Sequence, residues 1–142
     1  MSNRNRFVTV FAFIAVFAFG VFTARAVQDS SQKGRLYEMR IYHTLPGKLD
    51  ALNARFRDHT TKLFEKHGME NVGYWVPQDE ARKNQLIYII AFPDKAARDK
   101  SFKDFGADPE WRKAREESEK GGKIVEKVES IFLNPTDYSK LK

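Results

Sequence analysis

Apolar and polar positions along this chain follow two periods, and the switches between them mark out the elements. Positions 35–43 read Arg-Leu-Tyr-Glu-Met-Arg-Ile-Tyr-His and run into Pro46-Gly47. Aromatic and branched residues closed by a turn signal predict a strand. From 48 to 67 the period lengthens: Leu49, Leu52, Phe56, His59 and Leu63 recur at steps of three and four, and Gly68 follows. That spacing predicts a helix with His59 on its buried stripe and Gly68 as its stop. A short strand is expected at 71–76 and a polar turn at 77–84. The clearest strand is 85–92, centred on Ile87, Ile89 and Ile90. Pro93-Asp94 opens a helix to about 105. Asp108-Pro109-Glu110-Trp111 restarts it, with Asp as N-cap, Pro in the first helical position and Glu in the first turn. Gly121-Gly122 ends that segment, and 123–133 is the last strand before Asn134-Pro135.

The order is β-α-β-β-α-β with the second helix broken in two. Right-handed crossovers then put the first and third strands in the middle of a four-stranded antiparallel sheet with helices on one face. The predicted fold class is a ferredoxin-like α+β sandwich. The third strand is apolar on both sides: Leu86, Tyr88, Ile90 and Phe92 alternate with Ile87, Ile89 and Ala91. A strand covered on one side only should alternate apolar with polar, so a second cover is expected. A second copy packed sheet against sheet would supply it, making Ile87 and Ile89 interface residues; the alternative is that both are partly exposed.

The amino terminus changes where the protein is expected to work. Arg4 and Arg6 precede an apolar run from Phe7 to Phe22, no acid occurs before Asp29, and Ala24-Arg25-Ala26 offers small residues at the −3 and −1 positions of a cut before Val27. These are the three parts of a secretory signal, so residues 1–26 are expected to be a signal peptide of a periplasmic or secreted protein. The alternative is an uncleaved anchor, which would put the protein at a membrane. Residues 27–34 read as a polar spacer and 35–142 as the domain. Lys and Arg total 25 against 19 Asp and Glu, a net charge of +6. Losing Arg4, Arg6 and Arg25 with the signal leaves about +3, with acids and bases interleaved. A nucleic-acid footprint is a one-signed stripe, so nucleic acid is not an expected partner. The absence of cysteine excludes disulfides, thiolate nucleophiles, iron–sulfur clusters and Cys-ligated zinc.

Several segments in order resemble the NIPSNAP family domain: Tyr37-Glu38-Met39-Arg40-Ile41-Tyr42 with Pro46-Gly47-Lys48, His59, His67-Gly68, Asn84 to Phe92 with Arg98, Asp108-Pro109-Glu110-Trp111, and Asn134-Pro135-Thr136. The resemblance spans about 36–139. It implies a dimeric α/β barrel, the fold shared with small cofactor-free monooxygenases. It transfers no catalytic set, because the family's biochemical function is poorly established.

Candidate chemistry centres on His59. A titratable imidazole facing a sheet could act as a general base or hold the polar end of a ligand; a core histidine satisfied by a hydroxyl or carbonyl is the plainer alternative. Tyr37, His43, Trp75 and Tyr88 are candidate ligand-binding residues, since aromatic groups with polar tips suit a flat apolar ligand, although strands favour such residues anyway. Glu38, Arg40 and Tyr42 share one face of a central strand and are expected to join Ile87 and Ile89 in the dimer interface, with surface ion pairing as the alternative. No histidine pair has metal-ligand spacing, and no metal or cofactor is implied. No phosphate-binding glycine loop or G-x-S-x-G elbow occurs. Three functions remain open: an exported homodimer that binds a small apolar or aromatic ligand between helices and sheet, a cofactor-independent monooxygenase or isomerase-type enzyme using His59, or a structural interaction module.

Overall fold

A computed structural model describes residues 35–142; the expected signal peptide and the expected spacer lie outside the described residues. The chain runs β1 (Leu36–Thr44), α1 (Leu49–Arg55), a π-helical turn (Phe56–Thr60), α2 (Thr61–Lys66), β2 (Glu70–Trp75), a 3-10 turn (Glu80–Arg82), β3 (Gln85–Phe92), α3 (Lys95–Ala107), α4 (Pro109–Ser118) and β4 (Val125–Leu133). The sheet order is β2-β3-β1-β4 with every pair antiparallel. The first and third strands are central, as the crossover argument requires.

The turn chemistry explains where the helices begin and end. Gly68, at φ +75°, closes α2 in a left-handed conformation that a side chain would oppose. Asp94 caps α3 by accepting from the Ala97 N–H at 2.7 Å, and Asp108 caps α4 by accepting from the Glu110 N–H at 2.8 Å. Asp108 also meets His67 Nε2 at 2.7 Å and Lys66 Nζ at 3.0 Å, and these two neighbours hold its carboxyl well below the usual range. The cap thereby ties the α3–α4 junction to the end of α2.

Between sheet and helices lies a core built from Leu52, Phe56, Leu63, Phe64, Met69, Leu86, Tyr88, Ile90, Phe92, Phe105 and Ile124. Each fully buried side chain of this size contributes roughly 1.5–3 kcal/mol. Register decides which β1 residues join it. Glu38 pairs with Ile90, Arg40 with Tyr88 and Tyr42 with Leu86, and directly paired residues point to the same side. Glu38, Arg40 and Tyr42 therefore face the helices. The expectation that they form a dimer interface with Ile87 and Ile89 is overturned, because those isoleucines occupy the opposite face. That face carries Tyr37, Met39, Ile41, Ile87, Ile89, Ile131, Leu133 and Trp75, most of them only partly covered.

The expected burial of His59 is also overturned: it is exposed. An α-helix turns about 100° per residue, whereas the π-helical turn is wider, so each residue rotates less. Three steps beyond Phe56 now fall well short of a full turn, and His59 stays outside. The fourth step brings Thr60 onto the core side, where it is buried and its hydroxyl donates to the Arg55 carbonyl at 3.2 Å.

Candidate functional site

The helix side of β1 holds a charge that a core does not normally tolerate. Glu38 is fully buried, and burying an unpaired carboxylate is prohibitively costly. Four donors satisfy it. Arg98 Nε gives to Oε2 at 2.7 Å, while Arg98 Nη2 at 2.8 Å, Arg40 Nη1 at 2.7 Å and Ser130 Oγ at 2.6 Å give to Oε1. Burial would raise the Glu38 carboxyl, but the bonds from Arg98, Ser130 and Arg40 outweigh it and lower it. A carboxylate offers about four acceptor sites, and with four donors Glu38 is satisfied.

Its neighbours are not. Arg40 Nε and the Tyr88 hydroxyl are buried and have no hydrogen-bond partner. The two residues are direct partners across β1 and β3. Burial pushes the Tyr88 phenol far up, with the nearby Tyr42 hydroxyl adding to the effect and Arg40 opposing it, so Tyr88 keeps its proton. Rings surround the pair: Phe102 lies 4.8 Å and Tyr42 5.7 Å from the Arg40 guanidinium carbon, and Tyr42 lies 5.5 Å from the Tyr88 ring centre. Toward β4 the layer opens. The helices sit over β2 and β3, and the helix-side residues of β4 are uncovered, with Val128 39% and Phe132 47% exposed and Ser130 exposed between them. Arg98 and Lys95 lie over the Phe132 ring at 5.4 and 5.5 Å. The result is a shelf floored by β1 and β4, walled by α3, aromatic along its length and cationic at its mouth.

This architecture has known relatives. The NIPSNAP family model matches residues 37–140. The chain belongs to the NIPSNAP family. Among solved structures, a NIPSNAP family protein of unknown function from Agrobacterium tumefaciens matches at 23% identity and TM-score 0.68, over 78% of this chain and 96% of that one. An uncharacterised NIPSNAP-like domain protein from Burkholderia xenovorans matches at 19% identity and TM-score 0.66, over 75% and 90%. A Bacteroides thetaiotaomicron protein named for antibiotic biosynthesis monooxygenases matches at 18% identity and TM-score 0.51, over 77% and 97%. At these identities the likeness is one of fold. None of the curated proteins matches the chain.

This NIPSNAP domain scatters the residues that the sequence singled out. His59 lines a charged surface groove of about 360 Å³ between α2 and α4, beside Asp58, Lys62, Lys113 and Glu117. It does not face the sheet, so the premise of a general base over a sheet-bound ligand fails. Tyr88 lies in the core beside Arg40. Tyr37 lies on the opposite sheet face, in a pocket of about 300 Å³ with Ile89, Leu133 and Leu141. His43 is the penultimate residue of β1, with Nε2 2.7 Å from Glu129 and Nδ1 3.3 Å from the Gln85 amide. Trp75 is 52% exposed on the edge strand β2, its ring laid where a Cβ on Gly73 would be 2.6 Å away. These four do not form one pocket. The shelf residues Arg98, Phe102, Ser130 and Phe132 were not legible as a group, because they come from α3 and β4 and meet only in three dimensions. The available signal was Arg40 and Glu38 within an otherwise apolar strand, a pair of charges that the core must neutralise from elsewhere.

Proposed function

We propose that this NIPSNAP domain is a homodimeric small-molecule-binding module whose ligand has a flat apolar body and lies on the shelf between sheet and α3. The observation that carries the reading is the uncovered helix side of β4 beside the Arg40–Phe102–Tyr42 stack. Concave, ring-lined sites with a few convergent polar groups are what small ligands use. Homodimerisation is supported separately by the apolar outer sheet face, which is larger in its apolar run than scattered surface hydrophobics require. No catalytic role is assigned, since the expected base, His59, is remote from the shelf.

The test is calorimetric titration of the full chain with 2-naphthamide, a flat neutral probe. Saturable binding in the micromolar to low millimolar range, weakened about tenfold or more by Phe132→Ser, is expected; burying a large ring contributes enough for a change of that size. No saturable binding, or binding indifferent to Phe132→Ser, would overturn the reading.

A further inference from the structure

We infer that the shelf is an anion site: its ligand carries a carboxylate, or an equivalent oxyanion, held by Arg40 Nε and the Tyr88 hydroxyl, with its flat body running toward Phe132. The inference rests on the binding reading above and specifies the chemical class of the ligand.

The hydrogen-bond inventory around β1 has a surplus of donors. Glu38 accepts four bonds, three at Oε1 and one at Oε2. Arg40 spends Nη1 on it and keeps Nε unused, and the Tyr88 hydroxyl is likewise unused. An arginine has only donors to offer, and the neutral phenol adds another. An orphaned buried polar group is destabilising, so two on directly paired residues are a liability that an acceptor would remove. The missing group is therefore an acceptor, and one that accepts from two donors at once. A carboxylate does so, and its bonds to a guanidinium are about twice as strong as neutral ones.

Charge points the same way. Arg40, Arg98 and Lys95 face Glu38 and Asp99, with Arg98 Nη1 3.1 Å and Lys95 Nζ 2.6 Å from Asp99. The cluster carries one uncompensated positive charge. The side chains of Arg40 and Arg98 remain 15% and 19% exposed, which leaves a route from the β4 side. Arg98 is stacked on Phe102 at 4.3 Å and Phe132 at 5.4 Å, so the path inward is lined by rings and cations together. Both orphan donors are shut off from solvent. The half-buried rings of Phe102 and Tyr42 flank the guanidinium, and the head group enters by displacing one of them. Rotamer changes of that kind are common at binding sites.

The experiment compares 2-naphthoate with 2-naphthamide on the full chain at pH 7, by calorimetry, with Tyr88→Phe as the variant. That substitution removes only the orphan hydroxyl, so the fold is retained and the melting temperature is unchanged or raised. Naphthoate is expected to bind at least tenfold more tightly than naphthamide to the wild type. Tyr88→Phe should erase most of that preference. Equal affinities for the two probes would overturn the anion site while leaving the apolar-ligand reading intact. Failure of both probes would remove that reading and the anion site with it. Should Tyr88→Phe not fold, the wild-type comparison of acid against amide still decides.

Discussion

Glu38 shows how much one buried residue commits its surroundings. Four donors from β1, α3 and β4 converge on it, so β4 is tied to the helical layer through this one carboxylate. Glu38→Ala leaves Arg40 without a counter-charge and Arg98 with only the exposed Asp99. Breaking a buried pair in this way costs about 3–5 kcal/mol, with the lower end expected because Arg98 can swing outward. Denaturant unfolding checks the value. The carboxyl lies below its ordinary 4.5 in the folded protein, so the unfolded state takes up its proton first as pH falls. The contribution of Glu38 is whole above that range and is lost as pH drops through the folded value. Wild type should therefore shed stability below about pH 4.5 more steeply than Glu38→Gln. Coincident acid profiles would contradict this.

The first helical segment carries the lesson at the scale of elements. Its periodicity correctly announced a helix at 48–67, with Leu52, Phe56 and Leu63 buried. It did not announce the π-helical turn, because apolar spacing at steps of three and four fits an unbroken α-helix equally well, and the difference is only whether His59 or Thr60 turns inward. Thr60 and Thr61 stabilise the widened turn by donating to carbonyls five residues back, at 3.2 Å each. Thr60→Val keeps shape and volume while leaving the Arg55 carbonyl without that donor. A loss of about 1 kcal/mol is expected, read as a lower denaturation midpoint with unchanged slope. Ligand binding on the shelf should be unaffected, since Thr60 lies in the helical layer away from β4. Trp75 illustrates the same limit on a strand: its place over Gly73 depends on the twist and bulge of β2, not on local sequence preference.

At the scale of the whole molecule the open question is what covers the outer sheet face. Ile87 and Ile89 lie there beside Ile41 and Met39, and the strand alternation left them without a polar counterpart. A second copy would bury this apolar surface, leaving the His43–Glu129 pair at one end of the same face. Ile89→Lys would place an unpaired charge in such an interface, at a cost on the order of several kcal/mol. The wild type is expected to sediment as a dimer at tens of micromolar and the variant as a folded monomer. A wild-type monomer at that concentration would end the proposal.

The sequence by itself determined the element order, the antiparallel four-stranded sheet with β1 and β3 at its centre, and the family, because each follows from local period, turn chemistry and short motifs in series. Tertiary structure decided how those elements meet. Strand register assigned Glu38, Arg40 and Tyr42 to the helix side, since a shift of one residue exchanges the two faces of a strand and nothing local fixes it. The phase of the helix at the π-helical turn put His59 in solvent. The shelf itself, assembled from Arg40, Arg98 and Phe132, brings together residues up to 92 positions apart, as the bond from Ser130 to Glu38 does. Unsatisfied donors of that kind exist only once the chain has folded, because in the unfolded chain water satisfies every one of them.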